Sequence, residues 1–168
     1  MIYAENGLLE NIQVLTLTVA SIGFIVPTFH NERSDKLITL FFAFLCFSFV
    51  LRELDVEKLN VPDILIFFGS GTGRNVMLAS GFLAIALYAA RNVAYYKTLA
   101  LDLVFSERGI MLSLAACLLY SGQYFEDLET LQHHVLFEEL CELSAYAAIL
   151  IVAHSYKNRT RNKVRLTL

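Results

Sequence analysis

The sequence predicts an all-α fold: a polytopic helical membrane protein with about five transmembrane helices, its N-terminus out and its C-terminus in. Three observations carry that expectation. Hydrophobic residues make up 57% of the 168 and charged residues only 17%, against roughly half and a quarter in an ordinary soluble domain. The apolar residues gather in runs close to the ~20 that a helix needs to cross a hydrocarbon core. The charges gather in short segments between these runs, and the basic ones favour alternate segments. This composition excludes a disordered chain and a disulfide scaffold. With a net charge of -3 there is no global basic field, so nucleic acid is not an expected partner.

The first span is expected at about 8–29, opening near Glu10 and Asn11 and ending near Pro27. No Lys or Arg precedes it, so it reads as a retained span and not as a secretory signal, which needs a basic leading region. The second, at about 37–54, closes on Arg52 and Glu53. The apolar stretch 64–68 is too short to cross and is expected in the interface, as a re-entrant or surface segment. A glycine-rich loop, Gly69-Ser70-Gly71-Thr72-Gly73-Arg74, then leads into the third span at about 75–95, where Arg91 can snorkel to the interface. Residues 98–105 are expected along the membrane surface. A short fourth span at about 109–125 and a fifth at about 135–156 follow. Residues 1–156 thus form a single transmembrane bundle, and 157–168 a basic cytoplasmic tail.

Orientation follows from the basic residues, which stay cytoplasmic near span ends. Lys157, Arg159, Arg161, Lys163 and Arg165 follow the last span. Placing them inside also puts Arg33, Lys36, Arg91, Lys97 and Arg108 inside, so that only Arg52, Lys58 and Arg74 of the 13 face out. The acids sort the other way: 12 of the 16 fall on the outer side. That face would attract cations and repel anions. The expected location is the plasma membrane, or the inner membrane of a bacterium, as a multi-pass protein.

The chemistry-bearing pattern lies where the fifth span begins. His134, Glu138 and Glu142 are four residues apart, which places them on one helix face as a polar stripe entering an apolar body. An ionisable group at that depth costs a few kcal/mol and normally faces a partner or a water-filled cavity. The outer ends of spans one, two and five bring Glu10 and Glu53 to the same level, with Arg52 as counter-ion. One reading is a divalent-cation site with ligands from Glu10, Glu53, His134, Glu138 and Glu142. A second makes the same carboxylates a proton or cation relay. A third is structural, with the acids complementing a helix N-terminus and pairing with Arg52. The spacing matches no His-Glu-x-x-His, EF-hand or di-iron pattern.

Gly71, Gly73 and Arg74 suggest a headgroup or anion loop at a helix start, with a flexible turn as the plainer reading. The loop is neither a Walker A nor a dinucleotide fingerprint. His30 and His154 fall at the cytoplasmic ends of spans one and five, where they could bracket a haem iron; interfacial histidines without a ligand are the commoner case. Cys46, Cys117 and Cys141 each lie in an apolar run and are expected as buried thiols outside any disulfide. Ser80 with Ala84, and Ala86 with Ala90, would let the third helix pack closely against a neighbour in the chain or in a homo-oligomer or larger membrane complex. The basic tail could hold anionic lipid headgroups, although its plain role is a topology anchor. No nucleophile elbow or Ser/His/Asp set is visible, so an enzyme is the less favoured class. The sequence therefore favours a binding or accessory membrane protein with a cation-attracting outer site. An oligomeric proton- or cation-coupled transporter is the alternative, and a haem- or metal-dependent membrane enzyme the third.

Overall fold

The computed structural model describes residues 8–30, 36–54, 56–127 and 133–166, with side chains placed for 8–29, 36–54, 56–127 and 133–156. Among these residues all regular structure is helical. The elements are α1 (Leu8–His30), α2 (Lys36–Glu53), a 3-10 turn (Val56–Lys58), α3 (Asp63–Gly69), α4 (Gly71–Ala90), α5 (Val93–Val104), α6 (Glu107–Glu126) and α7 (His134–Leu166). By length and composition, Leu8–Phe29 and Gly71–Ala90 can each cross a membrane, and α5 with α6, bent by 77°, makes a third if the pair is one span. An isolated helix satisfies its own backbone hydrogen bonds, which is why lipid selects this architecture.

α1 shows how an apolar sequence still acquires an inside and an outside. Gln13, Leu17, Ala20, Phe24 and Pro27 are buried, spaced alternately four and three residues apart. Leu8, Ile12, Leu15, Val19, Ile22 and Phe29 form the opposite, exposed stripe. Both faces are largely apolar, so what separates them is size and polarity. The interior is rich in small residues, Ala20, Ala43, Ala115, Ala145 and Ala153 among them, while Leu15 (64%), Phe29 (79%) and Tyr120 (77%) stand outside. That is the arrangement expected where the surroundings are lipid, because helices there associate by close packing and internal polar contacts. α1 packs along α2 and α7, and α6 along α7. Between α1 and α2, the Ser21 hydroxyl donates to the Ala43 carbonyl at 3.0 Å, and the Thr28 and Thr39 hydroxyls meet at 2.8 Å. Where α1 meets α7, a Cβ on Gly23 would lie 3.1 Å from Ala153 Cβ.

The helices alternate in direction. The starts of α1, α4 and α7 share one end of the bundle with the ends of α2 and α6, joined by contacts such as Gln13 to Glu139, Arg52 to Glu142 and Arg74 to Leu51. At the opposite end, Phe24 packs on Tyr156 with ring centroids 5.8 Å apart, and Arg108 lies 4.1 Å from the same Tyr156 ring.

Several expectations need correction. The third span does not run from 75 to 95: α4 begins at Gly71 and stops at Ala90, and Tyr95 belongs to α5. The glycine-rich stretch is a junction between two helices, with Ser70 extended between α3 and α4. Residues 64–68 are helical within α3. α1 carries Pro27 inside it and continues to His30. α7 continues through residue 166, so the basic segment begins as helix. Ser80, Ala84, Ala86 and Ala90 are exposed; α4 meets α2 instead through Gly81, which seats the Phe44 ring, and Phe82, stacked edge-on to Phe44 at 4.8 Å. Cys46 is buried and Cys141 half-buried, but Cys117 is exposed on α6, and all three are free. Arg33 lies outside the described residues, as do the side chains of His30 and the five tail cations.

Candidate functional site

Two of the buried polar side chains, Gln13 of α1 and Glu142 of α7, lie at one end of the bundle, where α2 ends. Glu142, on the third turn of α7, is 6% exposed. It is paired with the Arg52 guanidinium from the last turn of α2. Arg52 Nε also donates to Glu53 Oε1 at 3.2 Å, and the Tyr146 hydroxyl donates to the same oxygen at 2.8 Å. Tyr146 is itself fully buried. From α1, Gln13 Nε2 donates to Glu139 Oε2 at 2.6 Å and to the Glu139 carbonyl at 3.3 Å. Gln13 has no exposed surface, and its Oε1 meets no hydrogen-bond donor among the described residues.

The local sequence explains the convergence. Glu139, Glu142 and Tyr146 are three and four residues apart, so they share the face of α7 that continues into buried Ile149, Val152 and Tyr156. α6 covers that face closely because Gly122 has no side chain: a Cβ there would sit 3.2 Å from Glu142 Cγ. Arg52 is long enough to keep 48% of its side chain exposed while its tip reaches inward. Two carboxylates, Glu53 and Glu142, thus share one guanidinium, and a third, Glu139, meets the Gln13 amide beside them. In a low-dielectric setting an excess of negative charge is costly unless donors or cations meet it.

Of the residues expected at the site, Glu53 and Glu142 both pair with Arg52. Glu10 lies at the same end, half-buried, lining a neighbouring cavity that also touches Arg52 and Glu53. Glu138 and His134 are half-buried on the flank of α7. Among the described residues no three His, Cys, Asp or Glu side chains are grouped as metal ligands. Gln13, Glu139 and Tyr146 belong to the network although sequence reading passed them over. The signal for Glu139 and Tyr146 was present in their spacing from Glu142; Gln13 carried none beyond being an amide in an apolar span. His154 is exposed at the opposite end.

The expected anion loop divides in two. Gly71, at φ 53, and Arg74 border the cavity. Gly73 does not: it is buried where the Phe67 carbonyl of α3 comes too close for any Cβ, so its role is packing. No protein-family model, curated protein or solved structure matches the chain.

Proposed function

We propose that this chain is a five-span binding or accessory protein of the plasma membrane that holds a cation in the charged network at its extracytoplasmic end. α1, α2, α4, α6 and α7 are the spans in this reading. α2 and α7 carry too many charges to cross on composition alone, and they cross because those charges meet one another inside the bundle. The alternation of helix direction supports the reading, since five crossings bring the starts of α1 and α7 to one side and the ends of α2 and α6 to the same side. The positive-inside distribution then assigns that side to the exterior.

The observation that carries the cation assignment is the buried carbonyl of Gln13, which meets no donor among the described residues and lies beside a network of three carboxylates and one arginine. A bound cation supplies what both lack: positive charge for the carboxylates and an electrophilic partner for the amide oxygen. No ready three-carboxylate chelate is grouped among the described residues, which favours a weakly coordinated monovalent or ammonium-type ion over a tightly held transition metal. The test is calorimetric titration of the detergent-purified protein with sodium, potassium, ammonium, magnesium and calcium, alongside elemental analysis. One saturable cation per chain, lost in Glu139→Gln and Glu142→Gln with helicity retained, is the expected result. Absence of saturable binding across that series overturns the proposal.

A further inference from the structure

Next to the network, and only partly shared with it, lies an open cavity of about 490 Å³. Six ionisable side chains border it: Glu10, Arg52, Glu53, Glu57, Lys58 and Arg74. Of the 13 basic residues, the three that the positive-inside distribution leaves on the acidic side are these same three, Arg52, Lys58 and Arg74. Topology gives them no reason to be there, and a shared cavity does.

Leu54, Val56 and the junction between α3 and α4 complete the cavity wall. Gly69, Ser70 and Gly71 border it at that junction. The Ser70 side chain caps no amide of α4, because its hydroxyl donates backwards to the Ile66 carbonyl at 2.9 Å. Arg74 is held in place by one hydrogen bond, Nη1 to the Leu51 carbonyl at 3.1 Å, and a guanidinium has four further N–H donors. Apolar surface adjoins the polar rim: Ile64 (65%), Leu65 (53%) and Phe67 (59%) of α3 are exposed, as is Val76 (62%) one turn into α4.

We infer that this cavity binds the headgroup of a zwitterionic phospholipid bearing a primary amine, a phosphoethanolamine lipid. Three cations match a phosphate, and three carboxylates match an ammonium with its three N–H donors. A purely anionic headgroup would leave the carboxylates facing added negative charge. A choline headgroup would present methyl groups where donors are needed. The exposed faces of α3 and α4 give the acyl chains an apolar surface to follow, which a soluble phosphate ester would not use. The inference shares Arg52 and Glu53 with the cation reading above, and its test therefore rests on Glu57, Lys58 and Arg74, which lie outside that network.

Native mass spectrometry of the full chain, released from nanodiscs with equal parts phosphatidylethanolamine, phosphatidylcholine and phosphatidylglycerol, tests it. Wild type is expected to retain phosphatidylethanolamine preferentially, with retention falling about fivefold for each cation removed in Lys58→Gln and Arg74→Gln. Glu57→Gln is expected to shift retention towards phosphatidylglycerol, a change of direction that misfolding would not produce. Residues 57 and 58 are exposed, so their variants keep the fold. A parallel titration with soluble phosphoethanolamine separates the sources: saturation by the soluble ester without lipid preference overturns the lipid assignment. Equal retention of the three lipids, or a preference unchanged in the variants, overturns the site. Cation binding measured on Lys58→Gln and Arg74→Gln is expected to persist, so failure of either proposal is read separately.

Discussion

Replacing Arg52 by Met would leave Glu142, only 6% exposed, and Glu53 without their shared cation. Breaking a fully buried pair costs about 3–5 kcal/mol; Arg52 keeps 48% of its side chain exposed, so about 2–3 kcal/mol is expected after discounting for screening. Thermal unfolding in detergent measures it. The double change Arg52→Met with Glu142→Leu should recover part of the loss, since it removes the orphaned carboxylate; a double variant no more stable than Arg52→Met would refute the pairing as the cause. Tyr146→Phe keeps the packing and deletes only the hydrogen bond to Glu53, for which about 1–2 kcal/mol is expected by the same measurement. Arg52, Glu53 and Glu142 were legible in the sequence because a charge inside an apolar run stands out. Glu139 was set aside as a helix-start acid, although it lies three residues before Glu142 and shares its buried face. Gln13 was illegible: an uncharged amide does not disturb hydropathy, and only the partner helix reveals what it faces.

At the scale of elements, the two helix breaks repeat one device. Ser70 and Ser106 each stand extended at a helix start, and each is followed three residues later by a buried glycine, Gly73 or Gly109. At both glycines a carbonyl from the preceding helix, Phe67 or Leu103, occupies the space a Cβ would need. The preceding helix can therefore fold tightly back only where a side chain is absent. At the second break the Ser106 hydroxyl also accepts from the Gly109 amide at 3.2 Å, fixing the start of α6. Gly109→Ala is expected to cost about 1–3 kcal/mol and to open the 77° bend between α5 and α6, which spin-label distances across the junction would register. Gly71→Ala meets no atom within 4 Å but must adopt φ 53, so a smaller penalty of about 1–2 kcal/mol is expected, without a change in the bend. Equal bends in wild type and Gly109→Ala would refute the packing account. Apolar runs were readable from hydropathy, yet these junctions were not, because an apolar run does not announce where it turns. The Ser-x-x-Gly spacing was the available signal, and it was read as loop flexibility.

The whole molecule buries Ala20, Ala43, Ala145 and Ala153 together with Gln13 and Glu142, while many large apolar side chains, Phe29 and Phe105 among them, face outward. The apolar runs were legible in the sequence while their faces were not, and the described residues form seven α-helices where about five spans were expected. In α1 both stripes are apolar, and only neighbours decide which is buried. The same logic ties topology to the charged network. α2 and α7 fall short as spans judged alone, with Arg52 and Glu53 at the end of one and Glu138, Glu139 and Glu142 at the start of the other. Together they neutralise part of that charge, through Arg52 with Glu142. Cysteine labelling checks the resulting arrangement. The three native cysteines, buried Cys46, exposed Cys117 and half-buried Cys141, are first replaced by alanine to clear the background. In intact cells an impermeant maleimide is expected to label Lys58→Cys, at the acidic end, and to reach Lys97→Cys on α5 only after permeabilisation. The reverse pattern would invert the orientation and carry both proposed sites to the cytoplasmic side. Labelling of both positions in intact cells would place α4 outside the set of spans, and with it the alternation on which five crossings rest.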